Sequence, residues 1–179
     1  WHYGSDGLSP VIWGDLEYRL INDEYEVAGL GNYKDSNVII PEEYKGKKVT
    51  SIGKGAFWCN NHDIIENVFI PSTIKTIGEK AFTGCFNLTS IIIPDSVTSI
   101  GASAFDGCSK LSSIEISKNL QNLEGPIFNI YNDALVNIKL TLFDDKKIND
   151  YFEYPKEMIK FFKQDKLPLI DVTGKLILQ

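Results

Sequence analysis

Hydrophobic and polar positions recur with a fixed period along the middle of the chain. Three stretches align, beginning at Val38, Val68 and Ile91, and each contains an apolar segment that ends in proline, an Ile-Gly pair and an Ala-Phe pair. The prolines of the second and third stretches, Pro71 and Pro94, are 23 residues apart, and the Ile, Ala and Cys positions that follow keep this spacing. Several positions that share one period indicate a true internal repeat.

A fourth, degraded copy follows in register. Leu123 aligns with Ile100, and Ile127-Phe128 aligns with Ala104-Phe105. The first copy is longer than the others because it contains polar, turn-like insertions, which a solenoid tolerates on its outer surface. One copy is too short to bury its own apolar side chains, so about four stacked copies are expected to share one continuous core.

Each copy is predicted to begin with a short parallel strand. In the third copy Ile91 and Ile93 alternate with Ile92, so Ile91 and Ile93 face the core and Ile92 faces outward. β-Branched residues suit a strand, and Pro94 ends it because proline has no N–H for the ladder. The repeat therefore predicts strands near residues 38–40, 68–70, 91–93, 114–116 and 138–140.

The rest of each copy is predicted to return the chain through an irregular or short helical segment. We expect the repeated glycine at Gly53, Gly78 and Gly101 to supply a backbone bend with positive φ. Ala104-Phe105 is predicted to form the following turn, in which the small Ala permits close packing and the Phe fills the coil.

Both ends of a solenoid need a cover, because the terminal coils have no neighbour. Alternating apolar residues over 16–28, with a polar turn at residues 22–24, predict an N-terminal β-hairpin cap. Pro155 and an apolar stripe predict a helix over 155–164, and residues 167–178 predict a small hairpin, together a C-terminal helix-hairpin cap. The alternative for that helix is a partner-binding element. The predicted division is residues 1–37, 38–141 and 142–179 within one structural domain.

The repeat reads LxxIxIPxxVxxIGxxAFxxC, and over residues 38–141 it resembles the BspA-like leucine-rich repeats of bacterial and protist surface proteins. The hairpin, the Ile40-Pro41 pair and the stretch GKKVTSIG ahead of the first Ala-Phe pair resemble the usual start of that family. The resemblance implies a leucine-rich-repeat solenoid, a right-handed β/α superhelix of mostly short parallel strands. It also implies a non-enzymatic protein-interaction or adhesion module whose partner is a host, matrix or sibling surface protein.

Cys85 and Cys108 occupy one position of the repeat, where the resemblance and the spacing imply small buried thiols. A disulfide between adjacent coils is the alternative, because stacked strands lie ~4.8 Å apart and disulfide Cα distances begin near ~4.4 Å. The chain has three cysteines, an odd number that excludes a complete internal disulfide framework and leaves the redox compartment open.

Charge and hydropathy exclude several classes of partner. The net charge of −6, without a long basic run, argues against nucleic acid and anionic membranes, whose phosphates require clustered Lys and Arg. The longest apolar runs contain only a few residues, so no membrane insertion is expected. The chain opens at Trp1 rather than at Met with a basic segment. The resemblance implies an extracellular or cell-surface location, with a signal peptide presumed removed upstream.

Catalytic and metal-binding patterns are weak. The two histidines, His2 and His62, belong to no nucleophile or metal motif, and Cys59-x-x-His62 would supply only two of the three or four ligands of a zinc site. The acidic clusters at residues 22–24 and at Asp144-Asp145 lack the spaced oxygens of a calcium loop and are interpreted as solvated turns. We therefore predict no enzymatic activity, no cofactor and no metal.

The remaining candidate is the exposed face of the parallel sheet. Equivalent outward positions in adjacent strands form a column that reads Ile39, Phe69, Ile92, Glu115, Lys139, and the neighbouring column reads Asn67, Ser90, Ser113, Asn137. Three outward apolar residues side by side predict a protein-binding patch, unless a cap or a neighbouring molecule covers them. The alternative is a carbohydrate-binding module of a secreted multi-domain protein that uses scattered aromatic residues: Trp1, Trp13, Trp58 and Tyr131.

Overall fold

A computed structural model describes residues 16–58, 64–117, 119–124, 127–129, 137–140, 152–153, 169–170 and 176–177. In these residues the chain forms a β-solenoid of about four turns. Each central turn has three sides: a strand of a five-stranded sheet, a strand of a seven-stranded sheet and a hydrogen-bonded turn.

The five-stranded sheet contains the strands that the repeat predicted. Its order is β13-β10-β8-β6-β3, and every neighbouring pair is parallel. The backbone ladder extends one residue past β3, because Ile40 N still donates to Phe69 O at 3.1 Å, and Pro41 then ends it. The bounds are β3 Asn37–Ile39, β6 Asn67–Phe69, β8 Ser90–Ile92, β10 Ser113–Ile116 and β13 Asn137–Leu140.

The seven-stranded sheet corrects the predicted return segments. Where irregular or short helical returns were expected, most coils contain a two-residue parallel strand, with Ser51 paired to Thr76 and Thr76 paired to Ser99. The described residues contain no helix. The sheet order is β1-β2-β5-β7-β9-β11, with β4 paired to β5. The bounds are β1 Glu17–Ile21, β2 Glu24–Gly29, β4 Glu43–Tyr44, β5 Lys47–Ile52, β7 Thr76–Ile77, β9 Ser99–Ile100 and β11 Asn122–Leu123.

On the third side, the Ala-Phe turns stack on one another. Phe57 N donates to Ala81 O at 2.7 Å, and Phe82 N donates to Ala104 O at 2.8 Å, so backbone bonds also join the coils here. The rings of Phe57, Phe82 and Phe105 form a ladder with centroids 5.2 Å apart and interplanar angles of 10° and 4°. Each buried Phe therefore packs against the Phe of the adjacent coil, as the repeat predicted.

The repeated glycines at positions 53, 78 and 101 do not have the positive φ that was predicted for them. Positive φ belongs instead to neighbouring positions, among them Gly55, Lys80 and Ser103, each two residues further along. At Gly78 a Cβ would lie 2.6 Å from Lys54 N, and at Gly101 it would lie 2.2 Å from Glu79 N. Gly78 and Gly101 are therefore required because the backbone of the preceding coil lies too close for any side chain.

The structure describes the N-terminal hairpin completely but only short strands of the C-terminal segment. The N-terminal hairpin is confirmed: β1 and β2 pair antiparallel, and Asn22 and Asp23 have φ of 50° and 69°, as in a two-residue hairpin turn. In the C-terminal segment β12 (Phe128–Asn129) pairs with β14 (Phe152–Glu153), and β15 (Leu169–Ile170) pairs antiparallel with β16 (Leu176–Ile177) inside the predicted hairpin. The predicted helix over 155–164 lies outside the described residues.

Candidate interaction surface

The register of the five-stranded sheet places the predicted apolar residues side by side. Ile39 pairs with Phe69, and Ile92 occupies the same position one strand further on. The exposed fractions of Ile39, Phe69 and Ile92 are 43%, 57% and 65%. We refer to these three residues as the apolar column. Glu115 continues the row beside Ile92, and Lys139 pairs with Glu115.

The strand positions between the outward residues point into the core. Val38, Val68, Ile91 and Ile114 are each at most 6% exposed, in line with strict alternation across a pleated strand. Because the inward positions are filled by these side chains, the apolar column cannot turn inward without shifting the whole register. Its exposure is therefore a property of the fold and not of a side-chain rotamer.

A polar column runs beside the apolar one. It consists of the paired residues Asn37, Asn67, Ser90, Ser113 and Asn137. Asn67 Nδ2 donates to Asn37 Oδ1 at 2.8 Å, which fixes the two amides across adjacent strands. The sequence prediction missed Asn37, although the repeated Asn-Val pairs at 37–38 and 67–68 would have identified it.

Acidic groups contribute to the same face. Glu66 is exposed and accepts a hydrogen bond from Ser36 Oγ at 3.4 Å, next to the polar column. Glu115 is half-buried at the end of the apolar column. The side chain of Lys139 lies outside the described residues.

The other candidate residues do not join this surface. Cys85 and Cys108 are buried thiols that form no disulfide, and their Sγ atoms donate to Phe57 O and Phe82 O at 3.2 Å. Trp58 is 52% exposed but follows Phe57 on the turn side of the coil. Several further candidates lie outside the described residues: Trp1, His2, Trp13, Cys59, His62, Tyr131, Asp144 and Asp145.

The acidic turn at residues 22–24 is occupied by ion pairs. Lys47 Nζ contacts Asp23 Oδ1, and Glu24 accepts from Thr50 Oγ1 at 2.8 Å and from Lys75 Nζ at 3.2 Å. The hydrogen bonds from Thr50 and then Lys75 lower the pKa of Glu24. The described residues contain no group of three or more His, Cys, Asp or Glu side chains that could hold a metal ion. The same residues contain no helix long and apolar enough to cross a membrane.

Solved structures share this fold. A leucine-rich repeat protein from Bacteroides capillosus is 20% identical, with a TM-score of 0.59 over 76% of this chain and 93% of its own. One from Bacteroides ovatus is 28% identical, with a TM-score of 0.53 over 72% of this chain and 40% of its own. A leucine rich cell surface protein from Faecalibacterium prausnitzii is 21% identical, with a TM-score of 0.50 over 74% and 43%. This chain therefore spans less than half of the last two proteins.

The curated proteins contain no match to this chain. The model of the BspA type leucine rich repeat region matches residues 33–159 in six copies. This range extends the predicted repeats, about four over 38–141, further toward the C-terminus. The chain belongs to the BspA type leucine rich repeat family.

Proposed function

We propose that this chain is a non-enzymatic protein-interaction module that binds its partner through the outer face of the five-stranded sheet. Repeats of this family are generally protein-interaction modules, which supports the class of function. The observation that carries the surface is the apolar column, in which Ile39, Phe69 and Ile92 lie exposed on adjacent strands.

The energetics favour a partner on this column. Exposed apolar side chains are common singly, but contiguous ones mark interaction sites because burial gains ~25 cal/mol per Å² of apolar surface. Interface energy concentrates in a few central residues, and aromatic residues are prominent among them. Phe69 is the largest side chain of the column and lies between Ile39 and Ile92, so we assign it the central contact.

The polar surroundings suit the rim of an interface. The amides of Asn37 and Asn67 and the neighbouring Ser90 and Ser113 offer hydrogen bonds beside the apolar column. Asn137 continues that column in β13. Such a rim adds orientation and excludes water more than it adds affinity. Glu115, with Lys139 beside it, orients the partner by charge.

The proposal includes a cell-surface or secreted location and a role in adhesion. Proteins with BspA type repeats are typically surface or secreted proteins, and one structural neighbour is a cell surface protein of Faecalibacterium prausnitzii. Surface proteolysis of intact cells, followed by detection of the chain with an antibody, tests the location. Full protection from an added protease on intact cells would contradict it.

Two phenylalanine variants test the binding surface. Phe69→Ala removes the centre of the apolar column, whereas Phe86→Ala removes a 45% exposed Phe from the loop after the Ala-Phe turn. Partners captured from host and matrix extracts would be identified by mass spectrometry, and their Kd measured with each variant. Phe69→Ala is expected to weaken binding by more than ~1 kcal/mol, at least about fivefold in Kd, and Phe86→Ala to leave it unchanged.

The same experiment distinguishes an exposed binding surface from a covered part of the core. Equal losses from both variants would contradict the surface, and a sharp loss of thermal stability with Phe69→Ala would make Phe69 a covered core residue. Glu115→Ala is expected to have a smaller effect that fades with salt. A glycan array with the same proteins tests the carbohydrate alternative, which is weakened because Trp58 lies on a different side of the coil from Phe69.

A further inference from the structure

The two sheets end differently at the N-terminal side of the solenoid. Among the described residues, the seven-stranded sheet continues past β5 through β2 and β1, whereas the five-stranded sheet ends at β3. An edge strand presents unpaired N–H and C=O groups, which are a template for pairing with another chain. The backbone N–H and C=O groups at the edge of β3 therefore require hydrogen-bond partners.

The hydrogen bonds of β3 identify the groups that face the edge. Ser36 O accepts from Asn67 N at 3.2 Å, and Ile40 N donates to Phe69 O at 3.1 Å, so residues 36 and 40 face β6. Backbone groups alternate sides along a strand, which places those of Val38 toward β6 as well. The N–H and C=O groups of Asn37 and Ile39 consequently face away from β6, toward the edge of the described sheet.

Two side chains occupy that edge. Tyr33 Oη donates to Asn37 O at 2.9 Å and accepts from Ile39 N at 3.4 Å. Asp35 Oδ1 accepts from Asn37 N at 2.7 Å. Three of the four edge groups are thus satisfied by side chains of residues 33 and 35, in the place where another strand would lie.

The position of Tyr33 is fixed by its own surroundings. Its side chain is buried, and Tyr33 N donates to Leu30 O at 3.1 Å across a turn in which Gly31 has φ of 59°. Burial raises the pKa of Tyr33 above its ordinary value of 10.0, so the hydroxyl keeps the proton that it donates to Asn37 O. The hydroxyl is therefore protonated at neutral pH and able to donate to Asn37 O.

We propose that Tyr33 and Asp35 form an edge lock that prevents β3 from pairing with β3 of a second copy of the chain. An antiparallel pair centred on Val38 would place Asn37 opposite Ile39 of the other copy, and each such pair can exchange two backbone hydrogen bonds. The pairing is self-complementary, as a twofold interface requires. The lock acts on the edge, so it is independent of whether the face of the sheet binds a partner.

Two variants open the lock by different routes. Tyr33→Phe keeps the buried ring and removes the hydroxyl, whereas Asp35→Ala removes the acceptor for Asn37 N. Asp35→Asn retains an oxygen at the same position and serves as the rescue. Tyr44→Phe is the matched control, because Tyr44 lies in the aromatic cluster stacked on Tyr18 and away from β3. Sedimentation velocity over a concentration series and amide hydrogen exchange would be measured for the full chain.

The lock predicts a specific combination of results. Amide exchange should accelerate about tenfold, at Ile39 in Tyr33→Phe and at Asn37 in Asp35→Ala, and both variants should associate more strongly than the parent chain. Asp35→Asn and Tyr44→Phe should behave like the parent. Folded variants that stay as monomeric as the parent would overturn the proposal, even where exchange accelerates. Association by Tyr44→Phe to the same extent would also overturn it.

Discussion

The two large sheets share one core and one repeat, yet their outer faces differ in the central coils. The outer face of the five-stranded sheet carries the apolar column Ile39, Phe69 and Ile92. The corresponding outward row of the seven-stranded sheet carries hydroxyl and amide side chains: Ser51, Thr76, Ser99 and Asn122. The inward residues of both sheets are uniformly aliphatic, as Ile77, Ile91 and Ile100 illustrate.

The difference separates what the fold requires from what it only permits. The seven-stranded sheet shows that the solenoid forms with polar residues at every described outward position of its two-residue strands. Ion pairs join adjacent coils beside this sheet, such as Lys75 with Glu24 and Lys54 with Glu79. The apolar column is therefore unnecessary for stacking, and this is the physical reason to assign it to binding.

The largest expected effect is in the shared core. Phe82 lies between the rings of Phe57 and Phe105, so Phe82→Ala should lower the free energy of unfolding by about 3–5 kcal/mol. Phe69→Ala, on the outer face, should change it by less than about 1 kcal/mol. Chemical denaturation of both variants measures the contrast. Similar losses would show that the apolar column is buried like the core, which would contradict the difference assigned to the two outer faces.

The next effect concerns the close approach of the coils beside the seven-stranded sheet. Gly101→Ala would place a methyl group 2.2 Å from Glu79 N, a backbone atom that cannot move independently. We expect a loss of about 3 kcal/mol, at the upper end of overpacking in a well-packed site. Ser99→Ala, two residues earlier and pointing outward, is the control for the same strand. Thermal unfolding that ranks the two variants equally would contradict the steric account.

Sequence reasoning recovered the five-stranded sheet because alternation is visible within one copy. Ile91 and Ile93 flank the outward Ile92, and Pro94 marks the end, so strand and face follow from local pattern. The ladder itself continues one residue past the strand, as Ile93 N donates to Glu115 O at 2.8 Å. That hydrogen bond joins two coils, so the sequence of a single copy does not predict it.

The two-residue strands of the seven-stranded sheet were missed, and the role of the repeated glycines was predicted wrongly, for a related reason. A two-residue strand such as Thr76–Ile77 is too short for a periodic pattern, and it forms because Ile52 and Ile77 are brought together by the stacking. Gly78 and Gly101 suggested a bend because glycine permits positive φ, but the actual constraint comes from the backbone of the preceding coil. Constraints imposed between coils become visible only once the coils are stacked.

Two adjacent isoleucines, Ile92 at the end of β8 and Ile93 just after it, provide a smaller test of the contrast between outer face and core. Ile92→Thr gives the five-stranded face a residue typical of the seven-stranded one, and it should cost less than about 1 kcal/mol. The same substitution at the buried Ile93 should cost about 2 kcal/mol or more, because it removes apolar contacts and buries a hydroxyl. Denaturation midpoints of the pair test this. A larger loss at Ile92 would place that side chain under a cover.

The smallest effect is electrostatic and belongs to the seven-stranded sheet alone. The pKa of Glu24 is lowered from 4.5 by the hydrogen bonds from Thr50 and Lys75. A lowered folded-state pKa contributes stability that is complete above pH 4.5 and is lost as the pH falls through the folded value. The parent chain should therefore lose slightly more stability on acidification than Glu24→Gln, measured by thermal unfolding across pH 3 to 6.

The dependence on salt distinguishes the ion pair with Lys75 from the hydrogen bond with Thr50 as the cause of the acid sensitivity. Glu24 and Lys75 are both substantially exposed, so their attraction is screened and the difference between parent and Glu24→Gln should shrink as salt is added. The hydrogen bond from Thr50 Oγ1 is shorter and partly buried, so Thr50→Val should reduce the acid sensitivity even at high salt. If Lys75→Met reduces it more than Thr50→Val does, the ion pair is the dominant cause. The face of this sheet is then stabilised by charge rather than by its hydroxyl groups.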